Sequence, residues 1–187
     1  METELQLLDA IRKGERGATR RLYERYSGQA MAIGLRYVPE RDAVRDVMQD
    51  SFVTILTSVS QFNYRGEGSL KAWVSRIVAH KAIDYLRAHE RINYVTAIPE
   101  QADEQEEPDV GRVPPDVLTE MIGRLPANYR MVLNLYIFEQ RSHKEIAQML
   151  GIKENTSTSQ YFRAKQLLAK MLNDYLNKHN ISNKKSG

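Results

Sequence analysis

The chain has no cysteine in its 187 residues. That excludes a disulfide framework, a thiolate metal site and a cysteine nucleophile, and it fits a reducing compartment. Apolar runs are short: none approaches the roughly 18 residues needed to span a bilayer. The N-terminus, METELQLLDAIRKGE, carries acids where a secretory signal has a basic start and an apolar core. These absences give the expectation of a cytoplasmic protein that does not insert into a membrane. Tryptophan occurs once, at Trp73, and the four histidines (His80, His89, His143, His179) are scattered, with no second ligand at metal spacing. No nucleophile–base pair and no phosphate loop stand out, and RGEGS is too short and basic for one. The expectation is no enzyme, no metal, no cofactor and no small-molecule substrate.

What is present is charge, unevenly spread. The net charge is +3, but it becomes +9 once the six acids of Pro99–Val110 are set aside. A basic globular part beside an acidic tether suits a polyanionic partner, and the same balance also serves solubility.

Helical periodicity fills both halves, and no β-alternation is convincing. Leu5, Leu7, Leu8 and Ile11 predict a short helix ending at Gly14. A second helix runs from about Gly17 to Tyr37, stopped by Pro39. Val44, Val47, Met48, Ser51, Phe52, Ile55, Leu56 and Val59 predict a third, with Asp42 as its N-cap. Asp46, Gln49 and Asp50 share one surface of that helix and offer acceptors to a basic partner, or form a solvated acidic face. From Ile92 to Asp116 the pattern gives way to acids, Gly111 and four prolines (Pro99, Pro108, Pro114, Pro115), which predicts a flexible acidic linker. The fold expectation is all-α: two small helical domains, 1–91 and 117–187, joined by the linker 92–116.

Two stretches carry chemistry. The first is Phe62–Arg91. It begins as a loop with Gly66 and Gly68, then Ser69 caps a helix whose core stripe is Leu70, Trp73, Val74, Ile77 and Val78. Phe62, Tyr64, Trp73 and Tyr85 are interleaved with Arg65, Lys71, Arg76, Lys81, Arg87 and Arg91. Cations hold phosphates and aromatic faces stack on unpaired bases. The same residues also suit an amphipathic helix with a solvated basic face and Trp73 in the core. The second stretch is Ser142–Leu168, patterned as a helix-turn-helix. Ser142 and Glu145 form a capping box, Ala147 is small where helices cross, Gly151 turns the chain and Ile152 plugs the gap beneath. The helix from near Glu154 presents Thr156, Thr158, Ser159, Phe162, Arg163 and Lys165 to a major groove. Ser157 stands where such motifs carry Val or Ile, which predicts a later helix start or a loosely packed first turn.

Together these parts resemble the extracytoplasmic-function (ECF) group of bacterial RNA polymerase sigma factors. Ala18–Arg91 resembles the family's region 2 and Val117–Leu172 its region 4. The carrying motifs are DAVRDVMQDSFVTI, then FNYRGEGSLKAWVSRIVAHKAIDYLR with Gly66, Leu70, Trp73, Ile77, Ile83, Asp84 and Arg87 in register, then LPANYRMVLNLYIFEQRSHKEIAQMLGI. The resemblance implies that Asp46, Gln49 and Asp50 meet the β′ coiled coil of polymerase core, with the β flap as a further core contact. It implies that Phe62, Asn63, Tyr64, Arg65, Ser69, Trp73, Arg76, His80, Lys81 and Arg87 read and open the −10 element, as duplex and as single strand. Ser142, Lys144, Thr156, Thr158, Ser159, Phe162, Arg163 and Lys165 then meet the −35 duplex. An anti-sigma factor is implied as a further partner. The chain departs from the family at His80, where Asn is common, and at Thr158 and Gln160, where basic residues are common. Two other readings use the same motifs: a helix-turn-helix regulator acting without polymerase, which has no need of the Asp46–Asp50 face, and a polymerase-binding decoy or adaptor, which opens no DNA.

Overall fold

The computed structural model describes residues 2–89 and 110–184, with side chains described to Lys178. All described secondary structure is helical. The chain divides into two compact units, Met1–His89 and Glu90–Gly187. Most of the expected linker, 92–109, lies outside the described residues. Its last residues belong to the second unit: a 3-10 turn spans Val110–Arg112, Val113 is buried beside Met121 and Leu172, and a helix begins at Pro115. The prolines that signal a linker in the sequence here start a helix, because proline at its first position lacks only an N–H that a helix end leaves unpaired.

In the first unit, α1 (Glu4–Arg12) starts with a capping box between Thr3 and Gln6 and buries Leu7 and Leu8 completely. α2 (Ala18–Tyr37) follows Gly17, whose φ of 80° suits glycine. α3 is Arg41–Ser58, and a 3-10 turn at Val59–Gln61 leads to the loop before α4 (Ser69–His89). α2, α3 and α4 pack on one another, and α1 packs against α2 and the 3-10 turn. α3 begins one residue before the expected cap. Glu40 occupies the N-cap with no side-chain bond, and Asp42 sits in the first turn, 3.1 Å from Arg45.

α2 and α3 approach closely at Gly34. A Cβ placed there comes 2.5 Å from Val44 Cγ2. Val44 is buried and its branched side chain cannot rotate clear, so Gly34→Ala is expected to cost about 1–3 kcal/mol through overpacking. Urea denaturation followed by Trp73 fluorescence reads this in the first unit alone, since Trp73 is the single tryptophan. An unchanged midpoint would show that the helices separate freely.

In the second unit α5 (Pro115–Gly123), α6 (Ala127–Ile137) and α7 (His143–Leu150) gather on the long α8 (Glu154–Lys184). Ile122, Leu125, Leu133 and Ala164 form the apolar centre, flanked by Leu118, Tyr129, Tyr161, Leu168 and Met171. Polar side chains are buried as well: Asn128, Arg130, Asn134, Thr156, Ser157, Ser159 and Gln160. Such groups are costly unless bonded. Asn128 Nδ2 donates to Gln160 Oε1 at 2.7 Å, and Arg130 donates to the carbonyls of Gly123 and Leu125 at 2.7 and 2.8 Å.

Candidate nucleic-acid interface

On α3, the stripe Val44, Val47, Met48, Ser51, Phe52 and Ile55 is buried, which turns Asp46, Gln49 and Asp50 to solvent. Val53 extends the same exposed side and Leu56 lies close by, while Tyr23 on α2 packs its ring 4.6 Å from Phe52. The acidic face therefore borders exposed apolar side chains, a mixture suited to a protein partner with a basic surface.

The loop 62–68 and α4 bring together the residues of the other stretch. Asn63, Arg65, Arg76, His80 and Arg87 are exposed; Phe62, Tyr64, Ser69, Trp73 and Lys81 are half-buried. Trp73, Arg76, His80 and Arg87 follow one side of α4 at spacings of three, four and seven. Trp73, expected within the core stripe, lies at its margin instead, with its ring 5.1 Å from that of Phe62. Leu70, Val74, Val78 and Ile83 fill the core without it. A tilted ring pair beside exposed cations offers faces for bases and charge for phosphates.

The start of α4 also differs from the sequence expectation. Ser69 Oγ does not cap the helix: it accepts from the Arg65 N–H (3.2 Å) and donates to the Gly66 carbonyl (2.6 Å). The caps come from Glu4 on α1, whose carboxylate accepts the N–H groups of Gly68, Leu70 and Lys71. Nothing local in the sequence marks Glu4 for this task. The one available signal is an acid at the start of an apolar helix, which reads equally well as favourable charge at the helix's own N-terminus.

The helix-turn-helix is formed as its motif predicts. Ser142 Oγ accepts from the Glu145 N–H, and Glu145 accepts in return from the Ser142 N–H. Donation to the Glu145 carboxylate from the Ser142 N–H, the Ser142 hydroxyl and Arg141 holds the carboxyl below its ordinary pKa. Gly151 closes α7 with φ of 66°, and α8 starts at Glu154. Ser157 neither delays the helix nor loosens it. It is fully buried, with Oγ 2.9 Å from His143 Nδ1. Burial lowers the His143 pKa, with the Glu154 charge acting in the opposite direction. The His143 ring stacks on Tyr136, 4.5 Å between centroids, and Tyr161 closes the group.

The residues expected to face DNA divide in two. Ser142, Lys144, Thr158, Phe162 and Lys165 are exposed and Arg163 is half-buried. Thr156 and Ser159 are buried, 4% and 6% exposed, with Ser159 Oγ bonded to the Thr156 carbonyl, so they are not part of this exposed surface. Among the described residues no group of His, Asp and Glu could hold a metal ion, and no helix is long and apolar enough to cross a membrane.

Comparison with known proteins gives these surfaces a context. Residues 22–92 match the family Sigma-70 region 2, and residues 116–168 match Sigma-70, region 4. The ECF RNA polymerase sigma-E factor of Haemophilus influenzae is 28% identical over 181 residues, covering 89% of this chain and 93% of that protein. The RNA polymerase sigma-H factor of Pseudomonas aeruginosa is 26% identical, covering 94% of this chain and 96% of its own. Among solved structures, CnrH in complex with the cytosolic domain of CnrY is 26% identical, covers 90% of this chain and 96% of that one, and has a TM-score of 0.47. With both regions matched in order and relatives aligned over nearly their full length, the chain belongs to the ECF-type sigma factors, which direct RNA polymerase to promoters for transcription initiation.

Proposed function

We propose that the two units divide the promoter between them. The first binds polymerase through Asp46, Gln49 and Asp50 at the β′ coiled coil, and it reads and opens the −10 element with the Phe62–Ser69 loop and α4. The second lays α8 in the −35 major groove, contacting DNA through Thr158, Phe162, Arg163 and Lys165, with Ser142 and Lys144 on the flanking backbone, and meets the β flap. The protein works by binding and not by chemistry, in the cytoplasm, and an anti-sigma factor is a further partner. The observation that supports strand opening most directly is the Phe62–Trp73 ring pair, half-exposed at the head of an exposed Arg76–His80–Arg87 stripe. Rings at that place can hold bases that have left the duplex, and such stacking is worth about 1–3 kcal/mol per base, comparable to the few kcal/mol that unpairing costs.

Permanganate footprinting of thymines in a polymerase–promoter mixture tests this. Wild-type protein is expected to give a reactive bubble. Alanine at Trp73, Arg76 and His80 together is expected to remove at least nine-tenths of that reactivity, on the order of 1.4 kcal/mol or more, while −35 duplex protection persists. A bubble left intact beside lost −35 protection would reverse the assignment.

A further inference from the structure

α1 lies outside the residues matched to either sigma region, yet it is bonded to the loop that carries the proposed −10 contacts. Glu4 is only 2% exposed. Its Oε2 accepts the N–H groups of Gly68 (2.9 Å) and Leu70 (3.0 Å). Its Oε1 accepts the Lys71 N–H (3.0 Å) and the Tyr26 hydroxyl (2.8 Å). Arg12, at the other end of α1, donates to the carbonyls of Ser60 (3.3 Å) and Phe62 (2.7 Å). Within the loop, Glu67 accepts the Glu4 N–H and pairs with Arg25, both at 3.2 Å. Both ends of the loop are therefore bonded to one nine-residue helix.

We propose that α1 is the template of the strand-reading loop: Glu4, assisted by Arg12, holds residues 62–71 in their DNA-binding shape before DNA arrives. Glu4 is thus a positioning residue for promoter opening. Three physical points support it. A helix N-terminus exposes N–H groups that its own Ser or Thr ordinarily caps. Here Ser69 is turned back to Arg65 and Gly66, and capping falls to a distant carboxylate, so the loop's shape depends on α1. Gly66 and Gly68 take φ of 117° and 89°, conformations open to glycine that leave the loop little stiffness of its own. The carboxylate is also the ionised form that the site favours: burial raises its pKa, and the bonds from Leu70, Tyr26, Lys71 and Gly68 outweigh burial and lower it. A loop already in its binding shape loses less freedom on binding.

This inference rests on the reading of the first unit as the −10 reader, and the test separates the two. The probe is the single-stranded oligonucleotide that wild-type holoenzyme binds most tightly in selection from a random library. Holoenzymes carrying wild-type, Glu4→Gln, Arg12→Ala and Gly34→Ala full-length chains are compared at a temperature where all are folded by circular dichroism. Glu4→Gln keeps the shape of the side chain but sets an amide donor against backbone donors. It is expected to weaken oligonucleotide binding at least 10-fold and to speed amide exchange at residues 66–71, with −35 duplex binding unchanged. Arg12→Ala, on an exposed side chain, is expected to weaken it about 3-fold, and it carries the test should Glu4→Gln not fold. Gly34→Ala lowers stability through the α2–α3 contact at Val44, with no bond to the loop of its own, and is expected to leave oligonucleotide affinity within 2-fold of wild type. Equal affinities for wild type, Glu4→Gln and Arg12→Ala would overturn the role of α1 alone, as would a Gly34→Ala loss as large as that of Glu4→Gln. A wild-type holoenzyme with no preference for single strand over duplex would overturn the −10 reading and this inference with it.

Discussion

Lysine at both Asp46 and Asp50 is expected to abolish assembly with core polymerase, weakening it at least 100-fold, about 2.7 kcal/mol. Both side chains are exposed on α3, and the buried stripe of that helix lies on its other side. Exposed substitutions away from the core usually change stability by less than about 0.5 kcal/mol, so the folded state survives the change. The partner surface inferred for this face is basic. Reversal therefore removes two attractions and adds two repulsions, and like charges brought together at an interface cost several kcal/mol. Gel filtration with core polymerase reads the loss directly, and thermal melting of the free variant shows that the fold is intact. Duplex binding through Thr158, Phe162, Arg163 and Lys165 should be unaffected. Unchanged transcription in a reconstituted assay would remove the acidic face from the mechanism.

A second large effect is expected in the other unit. Arg130 is 4% exposed, and its guanidinium donates to the carbonyls of Gly123 and Leu125. Those carbonyls lie at the end of α5 and in the turn to α6, where helix geometry leaves acceptors unpaired. Arg130→Ala leaves them buried without this donor and opens space beside them. The cost is on the order of 3 kcal/mol, which for a domain of this size corresponds to a melting temperature lower by roughly 10–20 °C. Hydrogen exchange on the full chain should show the protection of α6 and α8 amides falling together. Wild-type protection in those helices would mean that the apolar centre of Ile122, Leu125, Leu133 and Ala164 holds the unit without the arginine.

The elements that the sequence discloses are those whose cause is local. Apolar spacing on α3 and α8, the Ser142–Glu145 box and the Gly151 turn each act within a few residues, and each stands where its pattern puts it. Expectations depart from the structure where a distant residue takes over a local role. Asp42 and Ser69 have the chemistry of caps, but Glu40 begins α3 and Glu4, more than sixty positions away in the chain, caps α4. Polarity misleads in the same way at Thr156, Ser157 and Ser159. Thr156 and Ser159 read from sequence as groove-facing surface and Ser157 as a late or loose first turn, yet all three are buried, with the Ser157 hydroxyl beside His143 and the Ser159 hydroxyl donating to the Thr156 carbonyl. Trp73 shows the opposite error, since a large ring reads as core while the structure leaves it half-exposed against Phe62.

Two side-chain bonds beneath α8, one buried and one part-buried, set its angular register. Gln160 meets Asn128 on α6, and Ser157 meets His143 on α7. A step of one residue turns a helix by about 100°. No such rotation could keep either bond, and the Asn128–Gln160 pair would be lost in the buried interior. Apolar side chains tolerate small rolls because any hydrocarbon neighbour serves; paired amides and hydroxyls do not. The helix is therefore keyed like a shaft, and its outer residues keep their compass bearings when one of them is changed. Under the proposed −35 reading, exchanging Thr158, Phe162 or Lys165 retunes which sequence is read, while the direction in which the helix reads stays fixed.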